Sequence, residues 1–356
     1  MMRPINYLCQ PRVTPPLSLA HDAYWLRALS RPAASRMGTL RVYDFSGDVL
    51  SLGRYHLAPP RPARSAVQLF RRCSGGRVAP FGDGFVGVAL ALPHRSALVS
   101  EEPLALAPDQ VMNRCVRGIL EACKLLNIAA FYPGRDVVTV DRRIIGLVSF
   151  ETDSSGALLF EAIIANQRDF STLPALLDAA DPGGTVVAEM LAPEVTTCVA
   201  HALRTTLTME EFGDALRRGY EKQFQVLCVP RALSTLEQQT IEATATGEWS
   251  DEQWLRWRAV RPDLDRYALQ RVQLGVIEAR FSLEQDRFIK DILFTGDFIA
   301  NSAAIERLER ELRLCPAERD AIDTVVSRIF AQPENYILGV GPTRTIADTI
   351  CKGLSG

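Results

Sequence analysis

The sequence predicts a two-unit protein, a larger mixed α/β unit followed by a small α+β unit. Three observations carry this reading. The chain has 356 residues, a length at which one core usually gives way to two domains. Up to about residue 230, strand-like and helical stretches alternate irregularly. Beyond about residue 245, strand-like runs come first and helical patterns follow, the order of an α+β unit. The expected boundaries are therefore 1–230 for the first unit, 231–245 for a linker and 246–356 for the second.

Taken in order, the proline-rich stretch 11–16 leads into a helix over "SLAHDAYWLRALS", with Ser18 as its N-cap. The polar "RPAASRMG" separates it from two short strands, "LRVYDF" and "VLSLGRY", whose connection "SGD" reads as a hairpin turn. "PPRPARSA" reads as a loop, "VQLF" as a short strand, and "GFVGVALAL" as a buried strand. A helix is expected over 109–126. Three strand-like runs follow, "RDVVTV", "RIIGLVSF" and "ALLFEAIIA". Residues 170–228 read as mainly helical and irregular. The second unit begins near "GEWSDEQWLRW", with two strands, "ALQRVQLGVIEARFSL" and "DRFIKDILFTGDF", then helices over "AIERLERELRL" and "AERDAIDTVVSRIF".

Composition excludes several classes. Apolar residues make up 47% and charged residues 23%, which separates the chain from disordered sequences. A net charge of −2 gives no broad field for nucleic acid. The eight cysteines form no CxxC pair and do not alternate with the four histidines, so neither a zinc site nor a disulfide framework is expected. Cys115 and Cys123 fit a buried helical stripe, which implies a reducing compartment. The N-terminus lacks a signal-peptide core and "FVGVALALP" is too short to span a bilayer. The expected location is the cytoplasm, with no membrane partner.

The segment most open to chemistry is "RRCSGGR" at 71–77. In isolation it reads as an ordinary turn between strands. The sharper reading has Gly75 and Gly76 bringing backbone N–H groups to an anion, with Arg71 or Arg72 adding charge-assisted hydrogen bonds. Cys73 sits beside positive charge, yet no histidine is placed to act as its base, so it reads as a small structural residue. His201 reads as a surface or half-buried helix residue.

Order along the chain sharpens the reading of the loop. "LSLGRYH" at 50–56, "FRRCSGGRV" at 70–78, "GRDVVTVDRRIIGLV" at 134–148 and "GALLFEAIIAN" at 156–166 together resemble the lipoate-protein ligase A family, within the biotin/lipoate ligase superfamily. The N-terminal "SLAHDAYWLRAL" resembles that family's opening helix. "GEWSDEQWLRW", "IKDILFTGDF" and "AIERLERELRL" resemble its C-terminal part. The resemblance implies a class II synthetase type mixed sheet with flanking helices, plus a small α+β accessory domain. It also implies ATP-dependent activation of lipoate or octanoate, with Mg2+, and transfer to a lysine of a lipoyl-carrier domain of the 2-oxoacid dehydrogenase E2 or glycine-cleavage H-protein type. The alternatives are an acyltransferase using preformed acyl-AMP and a non-catalytic binding or regulatory protein on the same scaffold.

Carried over by position, Arg72 and the backbone of Gly75, Gly76, Arg77, Val78 and Ala79 would lie against the adenylate. Asp136 would meet magnesium or ribose; by itself it also reads as a turn residue. Gly53, Arg54, Tyr55 and His56, with Arg71, would border the acyl chain. Four positions depart from the family pattern. Arg143 replaces the lysine that touches both acyl carbonyl and phosphate, and a planar fork does not substitute for a compact ammonium. Arg77 replaces the third loop glycine. Phe81 and Gly82 stand where the family has His-Asp, and Phe160 and Glu161 where it has a histidine and a glycine.

Overall fold

The apolar runs Phe85–Leu92 and Leu158–Ala165 pair antiparallel in the middle of an eight-stranded sheet, every residue of both buried. Strands buried on both faces read as continuous apolar runs. The computed structural model describes residues 2–29, 38–59, 65–247 and 251–354. The stretches "RPAASRM", the middle of "PPRPARSA" and the start of "EWSDE" lie outside the described residues.

The first unit opens with β1 (Arg3–Gln10), α1 (Pro15–Leu29), β2 (Thr39–Tyr43), β3 (Asp48–Leu52), β4 (Gln68–Arg71), β5 (Ala79–Gly82) and β6 (Phe85–Leu92). It continues with α2 (Pro108–Cys115), α3 (Arg117–Leu125), β7 (Ala130–Phe131), β8 (Val137–Val140), β9 (Arg143–Thr152) and β10 (Leu158–Ala165). Then come α4 (Leu173–Ala180), α5 (Val199–Leu203), α6 (Met209–Phe224), β11 (Val226–Pro230) and α7 (Thr235–Thr246). The second unit holds α8 (Asp251–Leu255), β12 (Arg266–Val272), β13 (Gly275–Glu284), β14 (Phe288–Gly296), β15 (Ile299–Ala300), α9 (Ser302–Leu312), α10 (Arg319–Phe330), β16 (Ile337–Leu338) and α11 (Arg344–Leu354).

The large sheet has the order β11-β1-β2-β6-β10-β9-β8-β7, and a small sheet has the order β4-β3-β5. One face of the large sheet packs on α2, α3 and α6 through Val111, Ile119, Phe212, Leu216 and Tyr220. The other face packs on α1 and the small sheet, around the rings of Tyr43, Phe45, Phe70 and Phe81. In the second unit, β12-β13-β14 is covered by α9, α10 and α11. No helix among the described residues is long and apolar enough to cross a membrane.

Several expectations are corrected. β2 and β3 do not form a hairpin: β2 pairs with β1 and β6 in the large sheet, while β3 pairs with β4 and β5 in the small one. The "SGD" turn carries the chain from one sheet to the other. Ser18 is not an N-cap, because α1 already begins at Pro15, where a missing N–H costs nothing. The helix expected over 109–126 is two segments that meet at Val116. The stretch 231–245, expected as a linker, carries α7, whose Glu237 meets Tyr24 of α1 and Arg231. The long run at 268–283 is two strands of a tight meander. β1 and α11 were not foreseen.

The two units are sewn together along one seam. Tyr55 stacks on Phe298 at 4.5 Å and its hydroxyl donates to the Ala300 carbonyl. Phe150 stacks on Tyr336 at 4.7 Å. Ser302 donates from both N and Oγ to Glu151, each at 2.8 Å, so a carboxylate of β9 faces the start of α9.

Candidate functional site

The expected ligand loop links β4 to β5 and faces β9 and β10. Arg72 braces it from within, donating to Ser51 Oγ (2.9 Å) and to the carbonyls of Gly75 (3.1 Å) and Arg77 (2.8 Å). Ser149 Oγ donates to the Gly75 carbonyl. Two of the loop's backbone N–H groups are already engaged. Ser74 N donates to the Glu161 carboxylate at 2.8 Å, and Gly76 N donates to the Phe298 carbonyl of the second unit at 2.8 Å.

Sterics give the paired glycines their reason. Gly76 has φ +90, and a Cβ on Gly75 would fall 2.2 Å from the Phe298 oxygen. Gly75→Ala is therefore expected to cost about 1–3 kcal/mol by overpacking the seam. Urea denaturation checks this, and an unchanged midpoint would contradict the contact.

Arg77 turns inward. Its Nε meets Asp136 Oδ2 at 2.6 Å, and both side chains are buried. Burial raises the Asp136 pKa, with the Arg77 cation opposing the rise. Arg72, Arg77, Asp136 and Glu161, with Gly76 and Ser149, line a cavity of about 10 Å³, at the lower limit for one water molecule. Asp136 Oδ1 and Glu161 Oε1 are buried without a hydrogen-bond partner.

The remaining expected residues separate from this cluster. Arg143 opens β9 beside the tight turn made by Asp141 and Arg142, both at positive φ, and does not line the cavity. A bulge in β9 opposite Val138 and Thr139 puts Ile144 in the same core cluster as Leu147. Val78 and Ala79 are buried in apolar clusters, and Phe81 belongs to the aromatic core.

Arg71 is saturated by carbonyls: Nη1 reaches Arg54 (2.8 Å) and His56 (2.6 Å), and Nη2 reaches Leu255 (2.8 Å). Arg54 lies over the rings of Trp254 and Trp257 at 4.9 and 4.8 Å. His56 Nε2 donates to Asp297 Oδ1 at 3.1 Å, and Asp297 Oδ2 also accepts from Glu189 N and Val276 N. Gly53 packs against the Gly76 carbonyl. Burial, reinforced by Glu161, pushes the Cys73 thiol well up, so it is a poor nucleophile. His201 is exposed on α5.

Residues 261–338 match the family described as the bacterial lipoate protein ligase C-terminus. The chain aligns over 98% of its length, and 99% of the other, with Plasmodium falciparum LipL1 solved in complex with lipoate, at TM-score 0.68 and 12% identity. The chain has the lipoate-protein ligase fold. A bipartite lipoate protein ligase from Thermoplasma acidophilum, studied with its E2 lipoyl domain, matches 73% of this chain and 99% of its own at TM-score 0.56 and 16% identity. Lipoate-protein ligase A bound with ATP matches 72% and 99% at TM-score 0.54 and 15% identity. No curated protein matches the chain.

Within the lipoate-protein ligase fold, sequence reasoning found the loop and singled out Arg77, Asp136 and Glu161, but not the contacts they make with each other and with the loop. Glu161 carried a signal, as the single acid in the apolar run "LLFEAIIA". Asp297 and Phe298 carried none, since they reach the loop only through the seam. Among the described residues, no group of three or more His, Cys, Asp or Glu side chains is placed to hold a metal ion.

Proposed function

We propose that this lipoate-ligase-like chain acts by binding rather than by adenylate formation, with a lipoyl-carrier domain as its partner. One observation carries the reading: the chain's own groups fill the crevice in which an acyl-adenylate would lie. Glu161 takes the Ser74 amide and the Arg77–Asp136 pair fills the floor, leaving about 10 Å³, against roughly 300–1,000 Å³ for ordinary small-molecule sites. The residues present therefore do not fit the adenylate. The same closure weighs against an acyltransferase fed with preformed acyl-AMP. Arg143, in the place of the lysine on which adenylation would depend, is not among the residues that line the cavity.

Purified protein is expected to give no lipoate- or octanoate-dependent exchange of pyrophosphate into ATP, and to bind an E2-type lipoyl domain in calorimetry. The double variant Arg77→Gly, Glu161→Gly clears the crevice and is expected to gain measurable affinity for lipoyl-AMP. Exchange activity in the wild type would overturn the proposal and restore the ATP-dependent ligase reading.

A further inference from the structure

Among the described residues, the buried arginines follow a rule, and one breaks it. Arg41 pairs with Asp22, Arg77 with Asp136 and Arg258 with Glu309. Arg71 and Arg72 have no carboxylate at bonding distance but each donates to several acceptors, mostly backbone carbonyls. Arg95 is 6% exposed, yet it makes a single hydrogen bond, from Nη1 to the Pro333 carbonyl at 3.1 Å, and its Nε is buried without a partner. A buried guanidinium with one of five donors engaged and no carboxylate at bonding distance is costly, and burial lowers its pKa with only the more distant Tyr336 and Glu334 opposing.

Arg95 borders a cleft of about 300 Å³ at the seam, between the segment after β6 and the start of α9. Pro103, Leu104 and Ala303 give it apolar wall, and Ala303 stands in the first turn of α9, where the helix dipole favours negative charge. Arg307, one turn further on, is already paired with Glu311. Asp153 and Glu334 also line the cleft, and Glu334 acts on Arg95 through space without an ion pair between them. These two carboxylates disfavour a multiply charged guest. The asparagines offer little, because Asn301 and Asn335 bond to each other and to backbone.

We propose that this cleft binds a small organic monocarboxylate, its head on the Arg95 guanidinium and its short apolar body against Pro103, Leu104 and Ala303. The site is separate from the crevice at Glu161 and does not depend on the functional reading above. Because the cleft has walls from both units, its guest bridges them, and binding stabilises the joined arrangement.

The test is a thermal-shift and calorimetric titration of the full chain with hexanoate and, separately, with inorganic phosphate. Hexanoate is expected to raise Tm and to bind at one site; phosphate is expected to do neither at equal concentration. Arg95→Gln is expected to abolish the hexanoate response. Should that variant fold poorly, Ala303→Glu supplies an internal carboxylate to the same cleft, and is expected to raise Tm without ligand while removing the response. The proposal falls if hexanoate leaves the wild type unchanged, if the response survives in Ala303→Glu or in a folded Arg95→Gln, or if phosphate binds more tightly than hexanoate. Loss of this binding leaves the pyrophosphate-exchange result untouched, so the two readings fail separately.

Discussion

Asp136→Ala is expected to be among the most damaging single substitutions in the chain. It leaves the Arg77 guanidinium buried beside a small cavity with its ion pair gone, a loss of about 3–5 kcal/mol for a broken buried pair. Arg77→Met combined with Asp136→Leu removes both charges, and is expected to recover most of that loss, because a buried ion pair contributes little over well-packed apolar groups. Urea unfolding of the wild type, the single variant and the double variant decides it. A single variant within about 1 kcal/mol of wild type would mean that Arg77 is solvated, since only exposed pairs are that weak.

The second large effect is a pH dependence centred on the seam. Burial raises the Glu151 pKa to about 7, with Arg54 and the two donations from Ser302 opposing the rise. In the unfolded chain this carboxyl titrates near about 4.3. Between those values the folded protein holds a proton that the unfolded chain has released. Its stability contribution is therefore fully present below about pH 4.3 and is lost as the pH rises through about 7, a difference of about 4 kcal/mol. Asp22 is raised for the same reason, by burial, so the informative quantity is a difference between proteins. Glu151→Gln, fixed in the neutral state, is expected to lose less stability than wild type between pH 5 and pH 8. Equal pH slopes for the two proteins would show that Glu151 is not the group responsible.

How much was legible depended on how local the cause was. The strands β6, β9 and β10 were readable because their apolar runs are fixed by their own residues and buried on both faces. The β2–β3 connection misled because a turn signal says where a chain reverses, while the partners of each strand are chosen by packing across the fold. The 231–245 stretch read as a linker because α7 has little amphipathic pattern and buries only Ile241 along its length. At the site, the loop was legible as a motif. The residues at 77, 136 and 161 were named as well, but their pairing was not legible, because Arg77 and Asp136 stand 59 residues apart and Glu161 meets Ser74 only through a tertiary contact. The bulge between β8 and β9, just after Arg143, is likewise a matter of register, which no local pattern announces.

The glycine pair at 75–76 has a consequence for how such chains are recognised. Both residues are demanded by the Phe298 carbonyl and by a left-handed backbone, whatever the crevice holds. A descendant that never meets a nucleotide is still under physical pressure to retain "SGG", because replacing either glycine strains the joint between its halves. The motif is then a fossil kept fresh by masonry. Its presence in a sequence reports an intact joint, and whether the crevice can admit a nucleotide has to be read from residues 77, 136 and 161 instead.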